Sequence, residues 1–238
     1  MKTFPYNIPP TDDNCYITII RHGETEDNIR GIIQGQKDTD LNEKGFAQAR
    51  LVADRIQGER VDLIISSDLK RARDTAKIIH ERHPNAEFRI DPRIREKAFG
   101  PELEGRNWND IQRMLLTSGT HFDDYGEPET QVIERLSSIY HESIDKATSS
   151  DSPLHIVFVS HGGAISRLLK WVARQSGQPV EGPKLGNTCV SRIMVKKEDG
   201  KRVGRIVERA DTRHLQEDRE ARKLADNVDE KLEDKLTK

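Results

Sequence analysis

Residues 16–25 read "YITIIRHGET", a β-branched apolar run that stops at Arg21, His22 and Gly23. Apolar residues at consecutive rather than alternate positions suit a strand buried on both faces of a sheet. Alone, the polar triplet after the run could be an ordinary loop start. Residues 154–163, "LHIVFVSHGG", repeat the pattern, with His161 and Gly162 in the places of His22 and Gly23. Two buried strands that both end in His-Gly predict a shared crevice, because open α/β sheets bind ligands beyond the carboxyl ends of their strands.

The rest of the chain supplies the other elements of such a sheet. After the first strand and a polar loop rich in Gly and Asp, Asn42 caps a helix running to about residue 57, ahead of Gly58. Residues 61–65 form the next strand, Ser67 or Asp68 caps a helix over 69–82, and a short strand near 88–90 precedes Asp91-Pro92. Residues 98–127 are irregular, with Gly, Pro and aromatic residues around a short helix near 108–116, and are read as a lid. An amphipathic helix over 130–146 leads to the second buried strand and a helix over 164–175. Residues 190–195 and 203–208 close the domain as an antiparallel pair. This alternation predicts one α/β domain with a mostly parallel central sheet covered by helices on both faces. It spans residues 16–215, between an N-terminal extension (1–15) and a charged helix or tail (216–238) read as solvated.

Of the 238 residues, 34% are charged and 34% hydrophobic, but the apolar ones gather in short runs, which marks a folded chain. A net charge of −2 offers no global attraction to nucleic acid or to an anionic membrane. Any anion must therefore meet a local cationic cluster. Cys15 and Cys189 lack metal-ligand spacing and are read as buried thiols in a reducing compartment. No secretory segment and no bilayer-spanning run is expected, so the chain is placed in the cytoplasm, with the nucleus also open. Oligomeric state is not legible.

Histidines at neighbouring strand ends could ligate a metal. Here Arg21 adjoins His22, and Arg71 in "SSDLKRARDTA" sits near the start of the following helix, so permanent cations line the crevice. They disfavour a divalent metal and suit a dianion, and the Pro-Cys-x-x-Cys partner of a zinc deaminase is missing. Neither metal nor cofactor is expected. Guanidinium groups, imidazoles and helix amino termini after Gly23 and Gly162 fit a phosphoryl group. Metal-free transfer then needs a nucleophile, which a neutral histidine can supply, and a proton donor. The segment "RIREKAFGPELEG" offers Glu96 as that acid, with Glu102 and Glu104 as competitors.

The four motifs "RHGETEDN", "SSDLKRARDTA", "REKAFGPELEG" and "VSHGGAI", in this order, resemble the histidine phosphatase superfamily in its phosphoglycerate-mutase-like branch. The resemblance implies a three-layer α/β/α sandwich and makes His22 the nucleophile that becomes phosphohistidine. It places Arg21, Arg71 and His161 around the phosphoryl oxygens, Asn28 at a further polar position, Gly162 as a backbone N–H donor and Glu96 as the proton donor. Gln34 and Gly35 fall where the family approaches its substrate; Arg106 and Lys97 are further specificity candidates. Glu24 is read as ordering the loop, and His80, His83, His121, His141, His155 and His214 as surface or structural residues. Flanking cations are expected to lower the pKa of His22 in the empty site, and a bound dianion to keep His161 protonated.

Within the family, mutases carry a longer and more basic insert after the acid-bearing segment than the one here, where "FDDYGE" spans residues 122–127. "GQKDTDLN" and "DTRHL" instead resemble fungal-type acid phosphatases of this branch. The expected activity is metal-independent phosphomonoester hydrolysis of broad specificity on small phosphorylated metabolites. The alternatives are a phosphoglycerate mutase or sugar bisphosphatase, or a non-catalytic phosphoprotein-binding module.

Overall fold

Strands buried on both faces must lie inside a sheet, and the computed structural model, which describes residues 14–149, 154–198 and 201–215, places them there. In chain order the elements are β1 (Asn14–Arg21), α1 (Glu26–Arg30), α2 (Glu43–Ile56), β2 (Leu63–Ser66), α3 (Lys70–Arg82), β3 (Glu87–Ile90), α4 (Trp108–Ser118), α5 (Glu129–Ser149), β4 (His155–Ser160), α6 (Gly162–Ser176), β5 (Val190–Glu198) and β6 (Lys201–Asp211). The sheet order is β3-β2-β4-β1-β5-β6. The first four strands of that order run parallel, and β5 and β6 are antiparallel additions beside β1. The tail expected over 216–238 and the first thirteen residues of the extension lie outside the described residues, and β1 begins within the span expected to be extension.

Side chains alternate across each strand. Ile17, Ile19 and Phe158 pack against Leu136 and Ile139 of α5 and Leu168 and Val172 of α6. Ile20, Ile64, Val157 and Val159 pack against Val52 and Ile56 of α2 and Ala76 and Ile79 of α3 on the other face. The result is the three-layer sandwich that the resemblance implied. Each such side chain taken fully from water contributes about 1.5–3 kcal/mol. The chain leaves β1 toward α2 on one face and leaves β4 toward α6 on the other, so the carboxyl ends of these adjacent central strands open a crevice. Arg21 is level with Ser160 across the parallel ladder, which brings His22 and His161 out at the same height.

Several local details differ from expectation. The polar loop after Gly23 contains α1, whose five residues are too few to display a period; a capping box between Thr25 and Asn28 sets it instead. Neither Ser67 nor Asp68 is the N-cap of α3: Leu69 holds that position without a side-chain cap, since Asp68 is drawn to Arg95 and Ser67 to His161. The helix after His161 starts at Gly162, two residues earlier than the apolar pattern suggests. The 98–127 segment has a small core of its own, formed by Phe99, Leu103, Trp108, Ile111 and Phe122 with Ile33. Backbone bonds from Gly105 N to Ile33 O (2.8 Å) and from Ile33 N to Arg106 O (2.9 Å) fasten it to the loop after α1.

Candidate active site

Two buried imidazoles occupy the crevice with ring centroids 5.2 Å apart. The His22 Nδ1 lies 2.7 Å from Gly23 O. A carbonyl can only accept, so Nδ1 carries the proton and a neutral ring keeps its lone pair at Nε2. His161 has the opposite tautomer. Arg71 Nε donates to His161 Nδ1 (3.1 Å), leaving Nε2–H to donate to Ser67 Oγ (2.9 Å). Burial first, then the Arg71 guanidinium, holds the pKa of both rings well below the ordinary histidine value. Both are therefore neutral in the ligand-free protein.

Arg21 and Arg71 are buried beside them. Arg21 Nη1 donates to Leu185 O (2.6 Å). Arg71, in the first turn of α3, donates from Nη2 to Gly35 O (2.7 Å) and from Nη1 to Lys37 O (2.8 Å). It thereby joins His161 to the loop carrying Gln34 and Gly35. Gly35 has φ +51°, and a Cβ there would lie 2.1 Å from Glu104 Oε1, so both its conformation and its space require glycine. Gln34 is buried and accepts from Thr39 Oγ1 (2.6 Å). Thr75 Oγ1 accepts from Gly23 N (3.0 Å) and donates to Arg71 O (2.8 Å), linking the two arginine-bearing segments.

The structure separates the three carboxyl candidates. Glu96 is buried, and its Oε1 and Oε2 accept from Lys97 N (2.9 Å) and from Gly163 N (2.8 Å) at the start of α6. A Cβ on Gly163 would lie 2.6 Å from Glu96 Oε1, so the second glycine of "HGG" is what admits the carboxyl to the crevice. Glu104 Oε1 instead accepts from Gln36 N (3.0 Å) and Phe99 N (2.8 Å), as a latch between two loops. Glu102 is exposed. Arg95, which could have paired with Glu96, binds Asp68. Arg135 of α5 donates to Arg93 O, Arg95 O and Glu96 O (2.7, 2.7 and 3.0 Å) and pairs with Glu127. No motif flags Arg135 in the sequence; only the packing of α5 against the acid-bearing segment brings it there.

Asn28 is buried in α1, where its Oδ1 accepts from Thr25 N (3.1 Å), Thr25 Oγ1 (3.0 Å) and Asn187 Nδ2 (3.3 Å). With the oxygen so engaged, Nδ2 is the end of Asn28 left to serve the pocket. Gly162 opens α6 directly after His161. Lys97 is buried against the Phe99 and Phe122 rings, its Nζ 5.7 and 5.8 Å from their centroids, whereas Arg106 is exposed near Met114. Glu24 does order its loop: Gln48 and Asn42 hold its backbone, and its carboxylate accepts from Asn42 Nδ2. Among the remaining histidines, His155 is buried between Thr18 and Arg60 O, His80 bonds Ala86 O, His83 is buried, and His121 and His141 are exposed. Cys15 and Cys189 are free buried thiols, which burial pushes up to about 11 and about 12. Among the described residues, no group of three His, Cys, Asp or Glu side chains is placed to hold a metal ion, and no helix is long and apolar enough to cross a membrane.

Comparison with known proteins identifies the family. Over residues 17–209 the chain matches the profile of the histidine phosphatase superfamily (branch 1). It is 33% identical to a broad-specificity phosphatase of Saccharomyces cerevisiae over 74% of this chain and 79% of the relative. It is 32% identical to a probable phosphoglycerate mutase of Yersinia pestis over 84% of this chain and 94% of the relative. Among solved structures, a mycobacterial glucosyl-3-phosphoglycerate phosphatase in complex with VO3 superposes with a TM-score of 0.68 at 27% identity, over 83% of this chain and 100% of that one. The chain belongs to branch 1 of the histidine phosphatase superfamily.

Proposed function

We propose that this enzyme hydrolyses phosphomonoesters of small metabolites through a phosphohistidine at His22, without a metal and with broad specificity. The catalytic domain of this reading spans residues 16–215, with 98–127 as its lid. The observation that carries it is the neutral His22 ring, pinned at Nδ1 and bare of a proton at Nε2, beside two buried arginines, with the buried Glu96 carboxyl at the start of the helix that follows His161.

In the first step His22 Nε2 attacks phosphorus in line. The bond from phosphorus to the ester oxygen breaks as Glu96 delivers a proton to the leaving oxygen. Arg21, Arg71, the Gly162 N–H and Asn28 Nδ2 stabilise charge on the equatorial oxygens, the work that a metal does in other phosphoryl-transfer sites. The dianion supplies negative charge beside His161, opposing the burial and the cations that hold its pKa down, and so favours the protonated ring with a second N–H to offer. In the second step Glu96 takes a proton from water as that water attacks the phosphohistidine, and the bond between Nε2 and phosphorus breaks. Gln34 and Gly35, beyond Arg71, meet the rest of the substrate.

The name of the yeast relative supports hydrolysis with loose selectivity. The Yersinia relative favours a second reading, phosphoryl transfer between two hydroxyls of one metabolite. One experiment separates them. Phosphate release is measured from an aryl phosphate, 3-phosphoglycerate and a sugar bisphosphate, with EDTA present and His22→Ala as control. Turnover of several esters, lost in the variant, is expected; conversion of 3-phosphoglycerate to its isomer without phosphate release establishes the mutase.

A further inference from the structure

We propose that Asn187 is a positioning residue for the His22 nucleophile, a role that rests on the phosphatase reading. Asn187 lies in "GNTC", just before β5, far from the four motifs in sequence, and is completely buried. Its Nδ2 donates to His22 O (3.1 Å) and to Asn28 Oδ1 (3.3 Å). An amide nitrogen has two protons, and each has one acceptor here; flipping the amide would set its oxygen against two acceptors, so only one orientation is compatible with the site. One side chain thus ties the main chain of the nucleophile to the polar residue across the pocket.

The residue after it is built to hold that contact. Thr188 adopts φ +55°, a strained conformation for a β-branched residue, and its N–H is a second donor to His22 O (3.3 Å). Such strain persists only where neighbours enforce it. His214 Nε2 bonds Thr188 Oγ1 (3.1 Å), and Arg55 Nη1 donates to His214 Nδ1 (3.3 Å). Arg55 in turn pairs with Glu208 (3.0 Å) and Asp211 (2.8 Å). The "DTRHL" segment, which has no part in the chemistry, therefore braces the turn that holds His22. Burial and the Arg55 guanidinium push His214 down to about 3, so it stays neutral and remains a donor at Nε2. Both carbonyls of the His22-Gly23 unit are then occupied, that of Gly23 by the ring Nδ1 and that of His22 by the 187–188 turn.

The test compares the wild type with Asn187→Ala and with Asn187→Leu, which is close in shape, uncharged and without the donor, should the alanine variant not fold. Steady-state turnover of an aryl phosphate is measured together with inhibition by inorganic phosphate, a tetrahedral ground-state ligand, and by orthovanadate, a five-coordinate mimic of in-line transfer. A displaced nucleophile lowers kcat and orthovanadate affinity by about 10–100-fold and leaves KM and phosphate affinity within about threefold. A merely structural amide lowers the Tm without that split, and unchanged kcat and orthovanadate affinity overturn the proposal. A rise in KM with equal loss of phosphate affinity and intact kcat overturns it as well, by assigning Asn187 to substrate binding. Loss of turnover in the wild type itself removes the phosphatase reading and this role together, whereas wild-type turnover equalled by both variants removes this role alone.

Discussion

The two halves of the candidate active site are held in different ways. The cationic half, Arg21 with His22 and Ser160 with His161, continues two adjacent strands whose ladder sets its geometry, with Arg21 level with Ser160. The acid half hangs on side chains: Arg135 grips three carbonyls of the segment around Glu96, Gln36 Nε2 adds a bond to Glu96 O (3.1 Å), and Glu104 latches the loops beside it. A backbone ladder is lost only when the sheet unfolds, whereas a side-chain brace can be removed one residue at a time. Phosphoryl binding should therefore survive substitutions that cripple proton transfer.

The largest effect expected from this asymmetry is at Glu96. Glu96→Gln lowers kcat by about 10²–10⁴-fold for an alkyl phosphate and much less for an aryl phosphate whose phenolate leaves without help, with phosphate affinity nearly retained. Glu102→Gln, in the exposed competitor, leaves kcat unchanged. Equal losses in the two variants would contradict the assignment of the acid.

An intermediate effect is expected at the brace. Arg135→Met removes donors from Arg93 O, Arg95 O and Glu96 O and takes the guanidinium from Glu127, which keeps the Ala98 N–H. Turnover should fall about tenfold or more through a misplaced acid, with stability lower by about 1–3 kcal/mol, measured by rate and by denaturant unfolding. Inorganic phosphate should still inhibit near its wild-type concentration; loss of that inhibition would show the two halves to be one unit.

The smallest effects come from pH, and they oppose each other. On the proposed mechanism turnover needs a neutral His22. Because burial and the two arginines hold His22 well below 6.5, mild acid leaves its ring neutral and able to attack. Turnover should therefore persist into mild acid, and a rate that halves near pH 6.5, the ordinary histidine value, would refute it. Stability moves the other way. His22, His155 and His161 have lowered pKa values when folded, so between those values and about 6.5 the unfolded chain binds more protons. The Tm should decline as pH drops below about 6.5, a trend that a pH series of thermal melts checks directly.

The sequence by itself determined the sheet, its two helical faces and the cationic half of the site. A strand buried on both faces must be apolar at consecutive positions, and residues that follow such strands have nowhere to go but the crevice. His22, His161, Arg21 and Arg71 are legible because local chain direction alone delivers them. Choosing Glu96 over Glu102 and Glu104 needed the three-dimensional structure, since three glutamates within nine residues differ only in what surrounds them: two backbone amides, solvent, and a loop latch. The same holds for Arg135, Gly163 and Asn187. The contacts that tie them to Glu96 and His22 reach 39 to 165 residues along the chain, and hydrophobic period carries no record of such contacts. Covalent order specifies where the backbone points, but which buried polar groups meet is decided only when the layers close and each must find a partner.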